Sequence, residues 1–541
     1  MNIKGIKIAL LITTLTLSGI SLGFNINTVR ATELHILDNA TGGDCITIGI
    51  WDDLNNICTL TNNVSGTIHI DSDGITLDGN SFFINTPTIG INVLSSGNVI
   101  INNIIYSGED GIVIYGSNNT LENNTIQGNA GVREGFGVRF VSGSQGNDVI
   151  SNTINRFLFG IYGTADYDLI SQNQVRESIY GINLSGSYSI LNNNTIDPNG
   201  TDSFLGLSLG GATGFTLSNN IVYSSPYKNS FSVSGDSDAS FDHNIDTSNL
   251  VDSKPIYYIK NAIGLTFDSS TNAGVFYCIS CSNVVIKDLN LTNNLTGVFL
   301  WETTQSTVEN NHRIGNSATI WLKFSTNNTI KWNATEIFLG DYSDNNLVTE
   351  NNISGTSSSR GIKLSYSSNN SITNNTLADN YGGIDLSSST NNTITNNTLT
   401  DNAWATYSYA IALSTSDSNY IANNTLTSNS YGITMDTSDS NYIANNTLTS
   451  NSYGINLVAS DLNRVYNNNF IDNSVQAQID SVLSNIFYLN KPTGGNYWSN
   501  FDTFEEGCIN PDGDDFCNAS YNFFDGGKDK HPWVIPNGWL L

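Results

Sequence analysis

The apolar positions of this chain come in patches two or three residues long, separated by turns of Asn, Ser, Gly and Asp. None keeps a 3.6-residue period over the ten or more residues that a helix needs. The pattern is clearest at Tyr431–Leu448, YGITMDTSDSNYIANNTL, and the phrase SNYIANNTLTSNSYGI occurs twice, at Ser418–Ile433 and Ser440–Ile455. Within GITM the alternation places Ile433 and Met435 on one side of a strand and Thr434 on the other. Each unit therefore reads as three short strands and three turns. One such unit cannot bury its apolar side alone, but units stacked in parallel register can. The pattern predicts an all-β solenoid, a parallel β-helix with three strands per coil.

Aligned on the phrase N-N-T, the units place Asn352, Asn375, Asn397, Asn424, Asn446 and Asn468 in one column, most of them 22 residues apart. Asn tolerates left-handed backbone, and a stacked Asn can hydrogen-bond to its copy in the next coil. Asn375, Asn397, Asn424, Asn446 and Asn468 are thus expected to form an internal ladder. The same spelling writes many N-x-T sequons, most of them by-products of turn chemistry. Asp417, Asp439 and Asp461 form a second column, whose repulsion must be offset by turn hydrogen bonds or a cation. The coils extend upstream through Asp110–Ile126 and Tyr180–Ile196. They weaken at about 225–275, where Pro255 and a run of aromatics predict longer loops or a small hairpin. The expected order is an N-terminal cap over 32–75, coils over 76–488 and a Gly-, Asp- and aromatic-rich C-terminal cap over 489–541.

Charge narrows the partners. Lys and Arg total 20 against 48 Asp and Glu, a net charge of −28, which argues against nucleic acid as a partner, since phosphate binding needs a basic stripe. Lys4 and Lys7 followed by the apolar run Ile8–Ile20 read as a secretory signal over 1–31, cut after Ala31. No later stretch is long and apolar enough to span a membrane, so the expected place is extracellular, at the cell surface, or periplasmic where the host has an outer membrane. In an exported chain the six cysteines are expected as local disulfides. These are Cys45 with Cys58, Cys278 with Cys281, and Cys508 with Cys517. For Cys278 and Cys281 two buried thiols remain an alternative.

The N-x-I-x-N-N-T-I coils, closed by GNYWSNF at Gly495–Phe501, resemble the NosD-type right-handed parallel β-helix proteins found among exported surface proteins of archaea and bacteria. Members are described as periplasmic copper-binding, or as carbohydrate-binding and sugar-hydrolase repeat domains. The resemblance implies the hand of the helix, but the fold hosts many activities. The expected function is a structural or carbohydrate-binding role at the cell surface, with extracellular polysaccharide or surface glycans as partners. A polysaccharide lyase or glycoside hydrolase is the alternative, and a copper-binding accessory protein the second.

Candidate residues follow from the irregularities. Arg133, Arg139 and Arg156, among the charges of 131–177, are the candidate groove. Trp404, Tyr407 and Tyr409, in an insertion between two regular coils, are expected on a protruding loop that stacks on sugar rings. The outward first-strand positions Lys363, Asp385, Ala412, Thr434 and Asn456 form no carboxylate cluster, so no catalytic residue is assigned. Copper finds little support, because Met435 points inward and His35, His69, His243, His312 and His531 show no short spacing. No cofactor is certain. Calcium is the candidate, at Asn510, Asp512 and Asp514, which alternate around Gly513 as in oxygen-rich loops. A disulfide-closed cap packing Trp498 and Trp533 without metal is the other reading.

Overall fold

The computed structural model describes residues 28–540 apart from 130–132, 198–204, 225–228, 293, 314–318, 357–358, 404–407, 481–483, 512 and 524–525. In one coil the strand Tyr431–Asp436 forms a first face, Tyr442–Ala444 a second and Thr447–Thr449 a third. Each pairs in parallel with its copy in the coil before and the coil after. The chain is a parallel β-helix, as the repeat predicts. Ile433, Met435, Ile443 and Leu448 are fully buried inside it.

The corners show how Asn is used. Thr437, Ser440, Asn445 and Ser450 all have φ between 51° and 59°. The next residue at each corner, Ser438, Asn441, Asn446 or Asn451, is buried. Each buried Asn is a rung: Asn446 donates from Nδ2 to Asn468 Oδ1 at 2.9 Å and accepts from the Asn424 backbone N–H at 3.0 Å. The expected ladder from Asn375 to Asn468 exists. Two corrections apply. The left-handed residue is the first Asn of each pair, at 374, 396, 423, 445 and 467, so turning the chain and bridging the coils are done by different residues. Asn352 is not in the column either: the rung is Asn351, which donates to Asn375 Oδ1, and left-handed Glu350 precedes it. The Asp417 column is held by turn hydrogen bonds, Asp439 and Asp461 each donating a backbone N–H at 2.7 Å to the carboxylate one coil before.

The Asn column runs from Asn103 to Asn249, stops, and resumes at Asn311. In the gap Val251 pairs antiparallel with Lys254, and the core fills with Tyr277, Phe299 and Trp301. Asn229–Ser234 and the short helix Asp238–Phe241 pack beside the later first-face strands. Asn294 accepts from the Ser230 and Phe231 backbone, and Phe241 stacks 5.4 Å from Phe299. All three local disulfides are formed. At the C-terminal end buried Asp529 accepts from Asn496 N at 2.6 Å and from Trp498 Nε1 at 3.0 Å. It closes the ladder with a carboxyl group where another Asn would stand. No helix among the described residues is long and apolar enough to cross a membrane.

Candidate functional site

A first-face strand sends every second side chain outward, so each outward position becomes a column down the solenoid. Between the Thr319–Lys323 and Tyr409–Ser414 strands these columns stop being small and neutral. Arg360 lies opposite Gly382 in the parallel register. A Cβ at Gly382 would sit 2.7 Å from the Tyr409 ring and 3.3 Å from Arg360 Cγ. The missing side chain lets Arg360 reach over a whole coil and donate from Nε to Tyr409 Oη at 3.1 Å. The same Nε is 3.2 Å from Asp385 Oδ2, and the guanidinium lies over Tyr381, 5.6 Å from the ring centre. Lys363, paired with Asp385 across the strands, places Nζ 4.9 Å over Phe338. Phe338 in turn stacks on Trp321 at 5.6 Å and 16°.

Of these, Trp321, Phe338, Arg360 and Lys363 line a groove of 330 Å³, with Asn229 and Glu336 among others. Two of its walls carry buried polar atoms with no partner, Trp321 Nε1 and Asn229 Oδ1. Such atoms are costly unless something hydrogen-bonds to them. Burial raises the Glu336 carboxyl above its ordinary range, opposed by Ser359, Arg313 and Thr319. Burial also raises Asp385, opposed by Arg360, Tyr409 and Lys363. The Tyr409 hydroxyl is pushed up by burial and by Asp385, so it stays protonated. The groove thus offers a flat aromatic surface, two cations and one carboxyl, Glu336, drawn toward neutrality, while Asp385 is bonded to Arg360 outside the lining. It continues along the first face. A neighbouring groove of 430 Å³ shares Trp321 and includes Lys323, and a third of 570 Å³, with Arg139 and Tyr162, shares Gly210 with the second.

The sequence-predicted residues are distributed otherwise than expected. Arg139 lines the third of these grooves, 3.5 Å from Asp110 and with its guanidinium over Phe136. Arg156 pairs with Glu177 at 2.6 Å and lines a separate groove beside third-face residues Tyr106 and Gln127. Arg133 lines none of these grooves. Arg139 and Arg156 do not converge, because the chain sends neighbouring charges to different faces. Trp404 and Tyr407 lie outside the described residues. Tyr409 is not on a protruding loop; it is buried at the start of a strand, in the Arg360 network.

In the C-terminal cap Asn510 turns inward on its own loop, accepting from Gly513 N and donating to Asp514 O. Asp514 is 2.7 Å from Lys491, which holds its carboxyl below the usual range. Asp512 lies outside the described residues. Trp498 and Trp533 are buried in the cap. For copper, Met435 is in the core and all six cysteines are in disulfides. The histidines are not all scattered, however: His35 and His69 stand side by side near Glu33.

The chain matches the family described as periplasmic copper-binding protein (NosD) over residues 26–158, 259–407 and 335–503. No curated protein matches it. Among solved structures it is similar to the periplasmic alginate epimerase AlgG, at 12% identity over 85% of this chain and 83% of that one, with a TM-score of 0.30. It is similar to the A-module of the mannuronan C-5 epimerase AlgE6 of Azotobacter vinelandii, at 12% over 84% and 97%, TM-score 0.23. A DFA-IIIase of Arthrobacter chlorophenolicus aligns at 12% over 61% and 83%, TM-score 0.22.

Proposed function

Because the chain belongs to the NosD family of periplasmic copper-binding proteins, we propose that it is an exported β-helix protein and that its first-face groove binds an acidic carbohydrate. One observation carries this reading: the stacked Trp321 and Phe338 rings line one groove together with Arg360 and Lys363. Sugar rings offer apolar C–H faces to aromatic surfaces. Carboxylates on the sugar would meet Arg360 and Lys363. Against a net charge of −28 these cations act locally, so binding should weaken with salt.

The test is a glycan array followed by calorimetry on an acidic oligosaccharide that the array identifies. Lys363→Ala and Trp321→Phe should each weaken binding by about tenfold while the melting temperature holds. Unchanged affinity in both variants would remove the groove from the account. The raised carboxyls of Glu336 and Asp385, beside protonated Tyr409, favour a second reading, a lyase or hydrolase using them as acid and base. Binding without turnover is the expected outcome. Unsaturated or new reducing ends, lost in Asp385→Asn, would instead establish the enzyme.

A further inference from the structure

The N-terminal edge of the solenoid carries a cluster that the groove does not use. Glu33 and His35 are two residues apart on the Thr28–Ile36 strand, so both side chains leave the same side. The parallel register sets His35 directly against His69 of the next strand. The imidazoles stack with centroids 4.8 Å apart and 12° between their planes. Glu33, His35 and His69 each bring one ligand atom, all within 4.8 Å of one another. Metal–ligand bonds of about 2.0–2.2 Å put neighbouring ligands roughly 3–4 Å apart. Exposed Glu33 can close that difference by side-chain rotation.

The surroundings fix the rings. Asp71 Oδ2 is 2.6 Å from His35 Nδ1. That hydrogen bond keeps the proton on Nδ1 and leaves the Nε2 lone pair free, as carboxylates do for metal-binding histidines. At His69 the Asn92 side-chain nitrogen approaches Nδ1 at a long 3.5 Å. Meanwhile His69 Nε2 and Asn92 Oδ1 are both buried without a partner. Turning the Asn92 amide end for end gives its oxygen a partner and settles the tautomer of His69. Its Oδ1 then accepts from Nδ1–H, and Nε2 is left as a bare lone pair that a cation can use.

We propose that Glu33, His35 and His69 form a binding site for a late first-row divalent ion, Cu²⁺ ahead of Zn²⁺, with Asp71 and Asn92 as positioning residues. Two imidazoles and one carboxylate suit this class, and affinity at such a site rises toward Cu²⁺. The family description names copper; the residues that hold it here are the inference.

The test uses the full exported chain, stripped with chelator and dialysed. Titration with Cu²⁺ should give one tight equivalent, with nitrogen splittings in the electron paramagnetic resonance spectrum from two imidazoles. His35→Ala and His69→Ala should each weaken Cu²⁺ binding by more than about tenfold and remove one nitrogen. Asp71→Asn should cost about tenfold while keeping both nitrogens. His531→Ala, at the far cap, should change nothing. Thermal melts without metal identify any variant that fails to fold, and His35→Ala, being exposed, is the one expected to melt like the parent. One equivalent of Cu²⁺ retained by the double His35→Ala, His69→Ala variant, or no tight binding by the parent, would overturn the site. Tighter Zn²⁺ than Cu²⁺ would overturn the ion assigned.

Discussion

Two stretches of the solenoid share a backbone and differ in what they display. From Tyr409 to Ile471 the coils repeat at 22 residues, and the outward first-face positions are Ala412, Thr434 and Asn456. From Thr319 to Ser387 the same positions carry Trp321, Phe338, Lys363 and Asp385. A column of Asn rungs passes through both, from Asn328 through Asn392 to Asn463. The corners and the Ile/Leu core barely change. Chemistry is therefore written on a frame that does not respond to it, because inward and outward residues of a strand have separate neighbours.

The largest break in that comparison comes from the frame. Asn446→Val removes bonds to Ile421 O, Ala444 O and Asn468 Oδ1 and strips Asn424 of its acceptor. Several buried groups lose partners at once, so the cost should be about 3–5 kcal/mol. Denaturant titration measures it; an unchanged midpoint would deny the ladder a role in stability. Next comes Gly382→Ala, which pushes Tyr409 and Arg360 apart while deleting neither. Overpacking should cost about 1–3 kcal/mol, and carbohydrate binding should fall more than the melting temperature implies. Retained binding would show that the Arg360–Tyr409 contact is incidental to the groove.

A smaller effect of opposite sign is expected at Asp168, which stands on a rung where other coils have Asn or Ser. It accepts from Asn147 N at 2.6 Å, but its Oδ2 is buried and unpartnered. Burial pushes its pKa up to about 7. Between the unfolded carboxyl value and about 7 the native state binds more protons than the unfolded one, so stability falls as pH rises through that window. Asp168→Asn restores the amide, should add about 1–2 kcal/mol at about pH 8, and should add nothing at about pH 4. A gain equal at both values would point to packing instead of ionisation. The smallest change is Asn445→Gly. Asn445 has φ 59°, which Gly adopts freely, so the melt should move by less than about 0.5 kcal/mol. Set beside Asn446→Val, it separates turning the chain from bridging the coils.

The fold was legible because the 22-residue phrase fixes which residues stack, and stacking fixes the core. Even so, the phrase hides which Asn of a pair bends the backbone, since both letters are the same; units such as Gln172 before Asn173 or Glu350 before Asn351 expose the difference. The groove was not legible. Comparing outward positions brings Lys363 and Asp385 together, but Arg360 meets Tyr409 across two coils only because Gly382 is empty, and an irregular insertion obscures that alignment. His35 and His69 were hidden in another way. A helical turn, an antiparallel hairpin and a disulfide intervene between two strands that end up adjacent. Arg139 and Arg156 show the reverse, lining different grooves, since closeness in sequence means little where the chain turns a corner every few residues.

The corner geometry has a consequence for sugar covalently attached to the protein. In each N-N-T phrase the sequon acceptor is the first Asn, and Asn374, Asn396 and Asn423 are exposed, one per coil. Successive acceptors are therefore separated by a single strand spacing of about 4.8 Å, less than the breadth of a pyranose ring with its hydroxyls. In a host that glycosylates exported chains, a glycan on one coil bars its neighbours. However many sequons the repeat spells, this edge accepts a sparse fringe, with bare coils between the chains it carries.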